Sequence, residues 1–296
     1  MKSNQLKVKD KHQLPLIELF NQFDPISLEE TNNRAQMLTR FDNKYVVSRD
    51  EFELFLNVLH DDFEILEMNG IRGFSYQSCY FDDQDFRCYI DHLNGRRRRF
   101  KVRTREYVDS NLIFFEVKLK GIRGKTDKHR VRSAHFSPHS IGTEELAFLK
   151  ASYKSNYKTI FTYDLKPTLI VSYNRCTLVA RKGGERVTID FALGFSPFNQ
   201  SDKEIRIGDN FIIVETKSGD GRGLADNLMK SIGIRQASNC SKYCLGVNLT
   251  GLVTRNNKFL PMIRLISKNI VSGKRIFMPH HIHSVKEHHQ KLRSIL

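Results

Sequence analysis

Tryptophan is absent from this sequence, so no indole contributes to its core or to any stacking surface. Cysteine is scarce and odd in number: Cys79, Cys88, Cys176, Cys240 and Cys244. No two are spaced as C-x-x-C, and Cys240 and Cys244 are the one close pair. That excludes a disulfide framework and speaks against thiolate metal ligation. The expectation is reduced, mostly buried thiols in a cytoplasmic protein. Long apolar runs are also missing. None reaches the roughly 20 residues a helix needs to span a bilayer, and residues 1–15 have no apolar run of the kind a secretory leader carries. Negative charge is in short supply: 33 Asp and Glu against 48 Lys and Arg, a formal net charge of +15. Such a balance points to an anionic partner, whether nucleic acid, an anionic membrane or a phosphate-rich small molecule.

What is present is apolar content sufficient for a real core, 40% of 296 residues, in a length that suits one large domain or two small ones. Charge is arranged with a two-residue period. In RRRRFKVRTREY (96–107), Lys101, Arg103 and Arg105 share one strand face and Phe100, Val102 and Thr104 the other. The same alternation places Glu116, Lys118 and Lys120 opposite Phe115, Val117 and Leu119. It sets Arg186, Thr188 and Asp190 against Val187, Ile189 and Phe191, and Glu215 and Lys217 against Ile212 and Val214. Tyr173, Arg175, Thr177 and Arg181 share a face, as do Arg40, Asp42 and Lys44.

A half-solvated antiparallel sheet gives such alternation too. Two details favour another arrangement. The polar faces are mostly Arg and Lys, and several carry a single carboxylate beside the cations: Asp42, Glu116, Asp190 and Glu215. A sheet closed with these faces inward forms a tunnel that needs an anion or water inside, with the carboxylates placed to hold a divalent metal against phosphate oxygens. About eight strands interrupted by a few helices predict an α+β fold: a closed eight-stranded antiparallel β-tunnel with flanking helices. Ser48 and Glu51 form a capping box before a helix over 48–59 with Phe52, Phe55, Leu56 and Leu59 as its buried stripe. A second helix is expected over 83–93, and a hairpin over 167–193 turning at Gly183-Gly184.

The segments RFDNKYVV, YFDDQDFRCYIDHLNG, FKVRTREY, FFEVKLKG, VSYNRCTLV, VTIDFAL, IIVETKSG and SKYCLGV occur in the order of a VTC domain, the catalytic domain of vacuolar transporter chaperone polyphosphate polymerases. That family is a branch of the triphosphate tunnel metalloenzymes. The resemblance implies a tunnel that binds ATP or another nucleoside triphosphate and transfers its terminal phosphoryl group to inorganic polyphosphate with Mn²⁺ or Mg²⁺. By motif, Lys44, Arg103, Arg105, Lys118, Arg175 and Arg186 form the catalytic set. Lys128, Tyr173, Ser241 and Lys242 bind substrate, and alternation adds Lys217 to them. Lys125 or Arg130 are alternatives to Lys128. Glu215 is the main metal ligand, and Glu116 is a second ligand or orients Lys118. Hydrolytic members begin with an E-x-E-x-K strand, whereas Arg40-Phe41-Asp42-Asn43-Lys44 stands here, with a cation in place of the first glutamate.

The expected organisation is a helical lead (1–35), a VTC-like tunnel domain (36–250) and a basic, His-rich extension (251–296). Residues 259–277 are expected to pack on the outside of the tunnel or to meet an anionic membrane or membrane-protein partner, which would make the protein peripheral at a membrane. A nucleic-acid role for Arg96 to Arg99 is disfavoured, because no aromatics suited to stacking are interleaved. Two readings compete with the polymerase: a triphosphatase acting on inorganic triphosphate or a nucleotide, and a non-catalytic polyphosphate-binding regulatory subunit.

Overall fold

The computed structural model describes residues 14–34, 41–121, 126–136 and 139–272. Arg40, Lys125 and the histidine cluster at 280–289 lie outside the described residues. A 3-10 turn (Leu16–Gln22) and β1 (Pro25–Ile26) precede α1 (Leu28–Arg34). Then come β2 (Phe41–Val47), α2 (Arg49–Leu59), β3 (Phe63–Leu66), β4 (Phe74–Asp82) and α3 (Arg87–Leu93). β5 (Arg99–Tyr107), β6 (Leu112–Lys120) and β7 (Thr126–Arg132) form a meander, followed by α4 (Thr143–Tyr157). The long strands β8 (Lys166–Ala180) and β9 (Arg186–Pro197) make a hairpin. Gly183 and Gly184 turn it at φ +82° and +69°, values that favour glycine. β10 (Ile205–Ile207), β11 (Ile212–Ser218), α5 (Leu224–Ser231), α6 (Lys242–Leu249), α7 (Leu260–Ser267) and β12 (Ile270–Ser272) complete the chain.

The functional ribbon runs β7-β6-β5-β4-β8-β9-β11-β2, antiparallel throughout. Short strands branch from it. β10 and β12 extend the far half of β9, and β3, with β1 parallel beside it, extends the end of β8. The branching has a local cause. Ser172 faces Gly194 while Asn174 faces Phe191, so β9 carries an extra residue there, and Ala192 takes φ +50°. Such a bulge bends the strand and increases its twist. β9 therefore pairs with β11 before the bulge and with β10 after it. A Cβ at Gly194 would lie 2.4 Å from the Ser172 hydroxyl oxygen and 3.0 Å from Glu204 Oε1, so a larger residue there would have to displace both side chains.

Closure is the point at which the expectation fails. Among the described residues the sheet curls into a half-barrel but remains open: β2 pairs only with β11, and β7 only with β6.

Apolar strand faces are buried under helices. Phe100, Val102, Phe115, Val117 and Leu119 pack with Leu149, Tyr153 and Tyr157 of α4 in a cluster that continues to α6. Tyr45, Val47, Val187, Ile189, Ile212 and Val214 pack with the α2 stripe and with Met229 of α5. The concave face is thereby left to the charged residues. The α2 capping box is present, with the Glu51 carboxylate accepting from the Ser48 amide at 2.8 Å. α3 starts four residues later than expected. Asp83 Oδ1 accepts from the Asp85 and Arg87 amides, and Phe86 turns left-handed at φ +54°. Within 259–277, Ile263 and Ile266 of α7 are buried in the same cluster as α6. No helix among the described residues is long and apolar enough to cross a membrane.

Asp82 ties this scaffold together. Its buried carboxylate accepts from the Cys88 and Tyr89 amides at 2.8 and 3.1 Å, and also from the Tyr243 hydroxyl. One side chain thus joins the end of β4, the first turn of α3 and the first turn of α6. Asp82→Ala should cost about 3 kcal/mol in urea unfolding, since it orphans buried donors. Asp82→Asn, which keeps an acceptor, should cost less.

Candidate functional site

Three carboxylates stand on the concave face, and each is shared by two cations. Glu116 on β6 meets Arg103 of β5 (2.5 Å) and Lys128 of β7 (2.6 Å). Asp190 on β9 is held by Arg175 of β8 through two bonds, at 2.5 and 2.7 Å, and by Lys242 of α6. Glu215 on β11 accepts from Lys44 of β2 and from Lys217. Lys217 also lies 3.8 Å from Asp42. Burial alone would raise these carboxyls, but the facing cations outweigh it and hold all three well below the usual carboxylate range. Burial brings Lys217 down to about 8, against the pull of Glu215 and Asp42.

Other cations on this face, Lys101, Lys118 and Arg105, have no ion pair among the described residues. Lys101, Lys118 and Lys128 are direct register partners across β5, β6 and β7, and of the three only Lys128 has an ion pair among the described residues. Like charges directly opposite one another in a sheet are destabilising. Lys118 reaches solvent, but the protein crowded around it and the neighbouring Lys44, Lys101 and Arg103 pull its ammonium below its ordinary value, with Glu215 opposing. The Arg105 guanidinium is buried with a single hydroxyl partner, Ser78 at 3.3 Å. Aromatic rings flank it. Tyr76 and Tyr173 stack at 5.1 Å, and Arg105 and Arg175 each lie 5.4–5.8 Å from both rings. Lys242 sits 4.5 Å from the Tyr173 ring centre. Burial pushes the Tyr76 phenol up to about 12. The Tyr173 hydroxyl is buried and has no hydrogen-bond partner among the described residues.

Six of the sequence-derived cations, Lys44, Arg103, Lys128, Arg175, Lys217 and Lys242, therefore fall into three ion-pair groups on this face. Lys118 stands between them, and Arg186 lies in register with Lys217. Glu116 holds Arg103 and Lys128, not Lys118. Arg130, the alternative to Lys128, covers the Phe114 ring at 4.8 Å. Sequence reasoning passed over several residues that shape the groove. The Tyr80 hydroxyl accepts from Arg103 at 2.8 Å, and its ring stacks on Tyr243. Lys101 donates to Ser241 Oγ at 2.7 Å and to His92 Nδ1 at 2.8 Å. Tyr80 was legible from alternation with Tyr76 and Ser78. His92 sits on a helix, and no period in the sequence marks it.

The family model for the VTC domain matches residues 39–250. The chain belongs to the VTC domain family. No curated protein matches it. Solved structures similar to this VTC domain protein include a candidate adenylate cyclase from Bacillus halodurans, at 14% identity and TM-score 0.41, covering 69% of this chain and 95% of that one. A Hippeastrum protein, described as a candidate adenylyl cyclase with a dominant triphosphatase activity, is 11% identical at TM-score 0.43 and covers 71% and 96%. The S. pombe RNA triphosphatase is 9% identical at TM-score 0.26, covering 90% and 98%.

Burial, reinforced by Lys101, Arg99, Lys258 and Lys120, drives the His92 imidazole down to about 2. Between that value and the ordinary 6.5 the unfolded chain binds a proton that the native state refuses. His92 therefore favours the fold above pH 6.5, and this contribution is lost as pH falls. Linkage puts the loss at about 2 kcal/mol by pH 5. Glu185 acts in the opposite sense. Burial raises it to about 7, so its contribution is present at low pH and lost between 4.5 and 7. Comparing urea stability of the wild type and His92→Asn from pH 8 to pH 5 isolates the imidazole, and the variant should show the shallower acid decline.

Proposed function

We propose that the groove binds a nucleoside triphosphate together with inorganic polyphosphate, and that the protein is a polyphosphate polymerase-like phosphotransferase. The observation that carries this reading is the surplus of cation over carboxylate on one face of the sheet. Lys101, Arg105 and Lys118 have no carboxylate partner among the described residues, and Lys101 and Lys118 stand directly opposite one another. A fold that keeps lysines in register on neighbouring strands gains from a polyanion bound beside them. The buried, unpartnered Tyr173 hydroxyl supports the same reading, because a phosphate oxygen would satisfy it.

Phosphoryl transfer asks for in-line placement and for neutralisation of charge on the transferring oxygens. Arg103 and Arg175, each fixed by a carboxylate and an aromatic ring, present their remaining N–H groups in set directions. Lys44, Lys118 and Lys128 add point charges. A phosphate-chain nucleophile is already ionised, so no side chain needs to act as a general base.

The family's divalent metal suits Glu215 best. Its side chain is 15% exposed, against 2% for Glu116 and 1% for Asp190. Among the described residues no three His, Cys, Asp or Glu side chains gather. An ion on Glu215 would therefore take its other ligands from phosphate oxygens and water, as Mg²⁺ commonly does. Mn²⁺ or Mg²⁺ bound there would supply further neutralisation of the phosphates.

The deciding experiment is incubation with ATP and Mn²⁺ followed by separation of long chains from free phosphate. Chains support the polymerase, and phosphate alone moves the reading to a triphosphatase. Two variants sharpen it. Lys118→Gln should weaken tripolyphosphate binding by about 1.5–3 kcal/mol while raising the melting temperature of the free protein, because it relieves the lysine row. Glu215→Gln should abolish turnover yet leave metal-free tripolyphosphate binding intact, as calorimetry would show.

A further inference from the structure

Neither Lys101 nor His92 is among the ligand residues that the motifs supply, yet the Lys101 ammonium is held by two hydrogen bonds. Lys101 Nζ lies 2.8 Å from His92 Nδ1 and 2.7 Å from Ser241 Oγ. An ammonium can only donate, so Nδ1 carries no proton and His92 is the neutral, Nε2-protonated imidazole. Of the three Lys101 N–H groups, one is taken by the ring and one by the hydroxyl. The third remains, on the strand face shared with Arg103 and Arg105 and next to Lys118 in register. Ser241 is the N-cap of α6, and its hydroxyl also accepts from the Cys244 amide at 3.4 Å. The lysine row and the first turn of α6 therefore converge on one point.

The imidazole is held from behind. Its ring meets Phe259 edge-on at 5.7 Å, and the buried Cys244 sulfur lies 3.3 Å from Nδ1. Arg99, Lys120 and Lys258 add positive charge around it, and no carboxylate pairs with Lys101 among the described residues. A neutral acceptor is what this position requires. A carboxylate in its place would neutralise Lys101, whereas an imidazole aims the ammonium and leaves its charge for a ligand.

We propose that Lys101 is a further phosphate ligand of the groove, seated where α6 meets the lysine row, and that His92 is the positioning residue that aims it. This rests on reading the groove as a phosphate site. Metal-free tripolyphosphate titrated calorimetrically into the full chain tests both. Lys101→Met should weaken binding about tenfold, the loss of one charge-assisted hydrogen bond. His92→Phe keeps the ring and its packing on Phe259 but removes the acceptor, and should weaken binding roughly three- to tenfold. His92→Asn restores an acceptor near the Nδ1 position and should bind within about twofold of wild type.

Wild-type affinity in Lys101→Met overturns the ligand assignment. Equal losses in His92→Phe and His92→Asn overturn the positioning role and leave only packing. If the wild type itself fails to bind tripolyphosphate, the groove reading falls and this inference falls with it. Should His92→Phe not fold, as its thermal melt would reveal, Lys101→Met and His92→Asn still decide the matter.

Discussion

Sharing one carboxylate between two cations is the arrangement on which the concave face depends. Two unit charges 4 Å apart attract by about 4 kcal/mol at an effective dielectric constant near 20, yet desolvation consumes much of that gain. The Glu116, Asp190 and Glu215 groups are therefore not where the fold finds its stability. That comes from the apolar backs of the same strands, packed under α2, α4, α5 and α6. What the shared carboxylates provide is direction. Arg175 is fixed by two bonds to Asp190 and bracketed by Tyr76 and Tyr173, so it enters any encounter with little conformational freedom left to lose.

The division between apolar back and charged front was legible in the residues themselves. A two-residue period needs no tertiary information: Phe100 and Val102 read as core and Lys101, Arg103 and Arg105 as front before any fold is known. The Ser48–Glu51 cap is equally local. Three features depended on geometry that no single segment encodes. The β9 bulge arises because Gly194 and Ser172 approach across strands, and it decides which partners β9 can reach. Openness depends on where β2 and β7 end up after every twist between them. His92 becomes relevant only when β5 and α6 bring Lys101 and Cys244 to it from 9 and 152 positions away.

The helices do more than cover the sheet. Asp82 makes the start of α6 a neighbour of β4 and α3, and α6 in turn delivers Lys242 to Asp190 and Ser241 to Lys101. A residue remote from the charged face thus governs the placement of two groups on it. Gly246 shows how closely α6 is seated: a Cβ there would come within 2.4 Å of Leu169 and 2.7 Å of Phe195.

The open sheet has a colloidal consequence. Among the described residues β7 ends the ribbon, with no strand paired on its outer side, the kind of border that invites another chain to zip on. Its side chains alternate between exposed and half-covered, and the exposed series includes Lys128, Arg130 and Arg132. A second copy laid along that border would stack cation on cation at close range. The strand that leaves the barrel unfinished is the one least suited to being finished by a neighbour.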